Sequence, residues 1–141
     1  MRHVLETLRF RWQHVLEELP EDFATFDAGQ GVRTPQAVAL HVLQLLRFAR
    51  SSFVELKELE PNHADHWLKT LAAIAETMDA LADDLQQARP VLAGKPSLEQ
   101  MLQGPLLDMA THIGQLAMLR RLAGYAPVAR LSYWQIDLPY T

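Results

Sequence analysis

Thr34-Pro35-Gln36-Ala37-Val38-Ala39-Leu40-His41-Val42-Leu43-Gln44-Leu45-Leu46-Arg47-Phe48-Ala49-Arg50 is the stretch that decides the fold. A threonine hydroxyl followed by proline is a helix start, because the hydroxyl caps free amides and proline has no amide to lose at the first position. Val38, Val42, Leu45, Leu46 and Ala49, continued by Phe53 and Leu56, recur in steps that paint one helical face. The spacing predicts a helix to about Leu59, broken by Pro61-Asn62, with Asn62 placed to cap the next helix. His41 stands three residues after Val38 and four before Leu45, on the apolar face.

The same periodicity extends outward from this segment. Upstream, Val4, Leu5, Leu8, Trp12, Val15, Leu16 and Leu19 form a first stripe, closed by Pro20. Residues 21–33 read as a loop containing Gly29 and Gly31, with Phe23 and Phe26 packed down. Downstream, Trp67, Leu71, Ile74, Met78, Leu81 and Leu85 form a third stripe, with Glu76, Asp79, Asp83 and Asp84 off it. Residues 89–96 hold two prolines and a glycine and form a connection. Ser97 and Gln100 make a capping box for a short helical turn through about Gln103. Gly104-Pro105 interrupts, and a fourth helix runs from Pro105 to Ala123, stopped by Gly124. Tyr133, Trp134 and Tyr140 mark the C-terminal stretch as an aromatic tail laid over the helices. Four amphipathic helices without a strand signal specify an all-α four-helix bundle, one domain spanning residues 1–141. The connections between the first and second and between the third and fourth helices exceed a tight hairpin, which allows a non-sequential arrangement.

Composition narrows the chemistry. With 141 residues, about half of them apolar, the chain builds a core without staples. There is no cysteine, which excludes disulfides, thiolate metal sites and a cysteine nucleophile. A formal net charge of -4 and no basic stripe argue against nucleic acid. Arg120-Arg121 is the tightest basic pair, read as a solvated helix end in favourable contact with the dipole. Met1-Arg2-His3-Val4-Leu5-Glu6 turns charged too early for a signal peptide, and no apolar run reaches membrane-span length. The expectation is a soluble cytoplasmic protein with no membrane partner.

Six histidines are the candidate ligands. His3 is at a terminus. His14 lies off the first stripe, exposed or at a groove edge. His63 and His66 sit in the first turn of the third helix as two solvated imidazoles. His41 is different, because a buried imidazole needs a partner at each ring nitrogen. On the fourth helix, Asp108 and His112 are four apart and project from one face, a spacing at which two side chains hold one ion. His41, Asp108 and His112 thus form a candidate three-ligand metal set that leaves positions for water or substrate. Gln115 continues the face and is placed to orient a ligand or a bound water. The competing reading is a hydrogen bond from Asp108 to His112 or His41 that orders the interior.

The segment from Gly104 to Gly124, Gly-Pro-Leu-Leu-Asp-Met-Ala-Thr-His-Ile-Gly-Gln-Leu-Ala-Met-Leu-Arg-Arg-Leu-Ala-Gly, resembles the fourth helix of the DinB/YfiT-like metalloenzyme superfamily. The placement of His41 after Thr34-Pro35 is similar to that family's second helix. The resemblance implies an up-down-down-up bundle, a homodimer, and a divalent metal, usually nickel or zinc; the carboxylate of Asp108 adds iron or manganese as alternatives. It implies three histidine ligands; His41 takes the second-helix place, His112 the second place of the fourth-helix pair, and Asp108 departs from the first. Members include transferases that use bacillithiol or mycothiol and a maleylpyruvate isomerase, so a low-molecular-weight thiol substrate and a transferase or hydrolase reaction are what the resemblance implies. In that reading Gly114 lets a neighbouring helix approach, and Tyr133 and Trp134 contribute to a lid. The alternative is a non-catalytic dimeric module with a vestigial site, its surface formed by Leu40, Leu43 and Phe48.

Overall fold

The computed structural model describes residues 1–55 and 66–129. Four long segments of helix carry the fold: α1 (Arg2–Val15), α2 (Pro35–Arg50), α3 (Trp67–Gln86) and α5 (Leu107–Leu122), with a short α4 (Leu98–Met101) ahead of α5. There is no strand among the described residues. The architecture is an all-α bundle, as the periodicity specifies.

Two of the predicted starts are the observed ones. Thr34 accepts the Ala37 amide and Pro35 follows at the first helical position. Ser97 and Gln100 exchange both bonds of the capping box. Gly124 ends α5 at φ +91°, a conformation that glycine takes without strain. The predicted ends fare less well. α1 ends at Val15, well before Pro20. α2 ends at Arg50 rather than near Leu59, because Ser51 turns its hydroxyl onto the Phe48 carbonyl and competes with the helix ladder. The third helix is capped by His66, whose Nδ1 accepts the Lys69 amide at 3.2 Å. Asn62, His63, Leu56 and the aromatic tail residues Tyr133, Trp134 and Tyr140 lie outside the described residues.

The helices pack non-sequentially. α1 lies against α3 and α5, and α2 lies against the same two. Gln36, at the start of α2, donates to Thr70, at the start of α3, and Arg50 meets Asp84 near the ends of both. Those two helices therefore run in the same sense. A chain leaving α2 must return about 24 Å, the length of its 16 residues. At the other side of the bundle, Arg120 near the end of α5 donates to the carbonyls of Val15 and Glu17 at the end of α1. Arg120 is thus buried and not a solvated helix end, because its guanidinium satisfies the carbonyls that the α1 terminus leaves free.

The core is formed by Leu5, Phe23, Leu43, Leu46, Ile74, Leu81, Met109 and Leu116, all essentially inaccessible. Phe23 stands edge-on to Trp67 and Tyr125, so the first loop does pack down, as a single 3-10 turn over Glu21–Thr25. Leu43, expected on an exposed partner surface, is in this core. α2 touches both α3 and α5, so its buried arc is wider than one stripe. Phe48 is exposed and Leu40 is partly so.

Between α4 and α5 the chain does not break. Residues Leu102–Leu106 make a turn of π-helix that contains Gly104 and Pro105. Proline has no amide for the α-helical ladder, and the wider turn accommodates it. α5 then starts immediately, with Asp108 in its first turn.

Candidate metal centre

α2 and α5 bring His41, Asp108 and His112 together as the pattern of their spacings requires. One ligand atom from each lies within 4.8 Å of the other two. His41 Nε2 is 3.4 Å from one Asp108 oxygen, and His112 Nε2 is 3.5 Å from the other. The two imidazole planes are nearly perpendicular, with centroids 4.7 Å apart.

Those separations can be set beside both readings of the trio, with the three ligand atoms within 4.8 Å of one another. A hydrogen bond between nitrogen and oxygen falls at about 2.7–3.2 Å. Ligands held about 2.1 Å from a tetrahedral ion stand about 3.4 Å from one another. The imidazole–carboxylate distances match the second figure.

The third observation is at His112. Its Nδ1 is 2.7 Å from Gln115 Oε1. An amide oxygen only accepts, so Nδ1 carries a proton, which in a neutral imidazole leaves the lone pair on Nε2. That Nε2 is buried and has no hydrogen-bond partner. It faces Asp108 and, beyond it, His41. Gln115 thus fixes the tautomer that ligation needs, as an orienting partner does in metal sites. The buried, unpartnered lone pair is the polar group that an ion would satisfy.

The trio is not inside the bundle, as expected from the stripes, but on the wall of an open cleft. His112 is buried, while the side chains of His41 and Asp108 are 30% and 46% exposed. The reason is the position of His41 on the α5-facing edge of α2, beside rather than on the stripe that packs into the core. The cleft is a cavity of about 550 Å³ between α2, α5 and the loop before α2, within the size range of small-molecule sites. Arg33, Val32, Met118 and Leu122 also line it, and none stood out in the sequence as a site residue. Their signal was faint: apolar residues of α5 off its buried side, and an arginine one place before a helix cap.

Other expectations distribute differently. Gly114 is exposed, and a Cβ built there meets nothing within 4 Å among the described residues, so no described helix packs on it. It sits on the outer side of α5. His14 stacks on Phe10 and sits 3.1 Å from Glu17, partly buried and away from the trio. His66 is committed to its cap, and His3 is exposed at the start of α1. Buried Asp84, flanked by Arg50 and Arg89 at 3.5 and 3.1 Å, is an acid that the sequence placed off the stripe.

No known family model matches the chain, and no curated protein or solved structure matches it either. No helix among the described residues is long and apolar enough to cross a membrane.

Proposed function

We propose that this protein is a divalent-metal-dependent enzyme whose ion is held by His41, Asp108 and His112 at the floor of the α2–α5 cleft. The observation that carries the reading is the unpartnered, buried Nε2 of His112, held in its ligating tautomer by Gln115. Two imidazoles and a carboxylate suit zinc and nickel, and also the harder iron and manganese. When bound, such an ion lowers the pKa of a water or a substrate thiol and so supplies a nucleophile near neutrality. The reaction class in this reading is hydrolysis or thiol transfer, in line with the resemblance of the fourth helix to the DinB/YfiT-like superfamily.

The residues of the chain have separate tasks. His112, locked by Gln115, is the rigid donor. His41, more exposed, offers the opposing nitrogen from another helix, so the site exists only when α2 and α5 are docked. Asp108 supplies the charge and has an oxygen toward each imidazole. The half-exposed carboxylate and His41 leave the solvent side open for a substrate. A cytoplasmic setting and pairing of two copies belong to the same proposal; the pairing surface moves from the buried Leu43 to the exposed Phe48 and Leu107, which flank Asp108 along a second groove.

The test is the metal content of protein purified without a polyhistidine tag and incubated with zinc or nickel. The reading expects close to one ion per chain, lost in His112→Ala and in Asp108→Ala. Protein that takes up neither ion, or variants that keep it, would refute the reading.

A further inference from the structure

The cleft carries a second chemical label besides the three ligands. Among the residues lining it, only Asp108 and Arg33 are charged. Arg33 is exposed and has no hydrogen-bond or ion-pair partner among the described residues. Its position is nonetheless defined. On one side the chain passes through Gly29, Gln30 and Gly31, all with positive φ (77°, 57° and 72°). On the other side Thr34 caps α2 and Pro35 is buried. The Arg33 backbone is therefore one residue from a fixed point, and the residue lines the cavity.

The rest of the lining includes exposed apolar side chains. Val32, Met118 and Leu122 are three of the large hydrophobic side chains left exposed in the described chain, and all three line this cavity. Exposed apolar side chains scattered singly need no explanation, but grouped around one cleft they mark a binding surface.

We infer that the cleft takes a small carboxylate with an apolar body, its carboxylate on Arg33 and its body against Val32, Met118 and Leu122. This inference rests on the metal reading for the reacting end of the substrate, but the Arg33 contact stands without it. A divalent ion held by two neutral imidazoles and one carboxylate keeps a net positive charge, and Arg33 adds another. A cavity with that balance in a chain of net charge -4 selects an anion. The planar guanidinium fork matches a carboxylate with two parallel bonds. With only one such fork and apolar walls, the cavity suits a monoanion of mixed character better than a polyanion or a sugar.

The experiment is a titration followed by amide NMR, with hexanoate as the probe and hexanamide as its neutral counterpart, on metal-free and on zinc-loaded protein. Hexanoate is expected to shift the signals of Arg33, Val38 and Leu119 and to bind about tenfold or more tightly than hexanamide. In metal-free protein, Arg33→Gln should bind hexanoate no better than hexanamide, while Arg33→Lys retains part of the preference. Equal binding of the two probes, or hexanoate binding unchanged in Arg33→Gln, would overturn the inference. Zinc uptake measured on the same samples scores the metal reading separately: if zinc does not bind, the metal-free titration still decides the role of Arg33.

Discussion

Two aspartates, Asp84 and Asp108, occupy opposite kinds of site in one bundle. Asp84 is almost wholly buried near the ends of α2 and α3, and its side chain is 4% exposed. Two guanidiniums, from Arg50 and Arg89, close around it. Asp108 is 46% exposed at the start of α5, and its neighbours are two imidazoles on the wall of a cavity. Arginine cannot lose its proton, so the charge of Asp84 faces two fixed positive charges, although its Oδ2 has no hydrogen-bond partner. Imidazoles are neutral ligands at ordinary pH, so Asp108 and its neighbours have donor atoms to spare. Burial alone would single out Asp84, whereas the proposed site uses Asp108. What separates them is the chemistry of the partners and access to solvent.

The largest expected effect that tests this contrast is on stability. Breaking a buried ion pair costs roughly 3–5 kcal/mol. Arg50 and Arg89 are partly exposed, so Asp84→Ala should lose about 2–3 kcal/mol in denaturant unfolding after discounting for solvent screening, with zinc uptake unchanged. Asp108→Ala should do the reverse: little change in the stability of the metal-free protein, and loss of uptake. If Asp84→Ala removed zinc as well, the two sites would not be independent.

Next in size is the orienting bond. Gln115→Ala removes the acceptor that holds the His112 tautomer. Loss of such a partner lowers metal affinity by about ten- to a hundredfold, to be read by competition with a chromophoric chelator. Unchanged affinity would mean that the imidazole is held by its packing alone.

The smallest effect concerns the outer side of α5. Gly114 is helical, exposed and free of neighbours. Gly114→Ala should therefore raise stability by about 0.5–1 kcal/mol and leave zinc binding alone. A loss of stability would show that something covers that face in solution.

The contrast between the aspartates also marks how much was legible in the sequence. The four apolar stripes, the Thr34 cap, the Ser97 box and the Gly124 stop are local patterns, and each was readable. So was the Asp108–His112–Gln115 face, because helical spacing places the three together whatever the rest does, while His41 joins it only through the packing of α2 on α5. Three things were not readable, and each depends on contacts far apart in the chain. Asp84 looked like a solvated acid because Arg50 reaches it from another helix. Arg120 looked like its neighbour Arg121, because the carbonyls that bury it belong to α1. Leu43 looked exposed because one stripe cannot show that α2 packs on two neighbours. The openness of the cleft was hidden for the same reason: it lies between two helices and a loop, and no single segment contains it.

The central claim is that one ion sits between α2 and α5, and the most direct measurement is an anomalous difference map at the zinc edge from crystals grown with one equivalent of zinc. The account predicts a single dominant peak about 2.0–2.2 Å from His41 Nε2, an Asp108 oxygen and His112 Nε2. Ordered zinc on other histidines, with no peak between these three side chains, would contradict it.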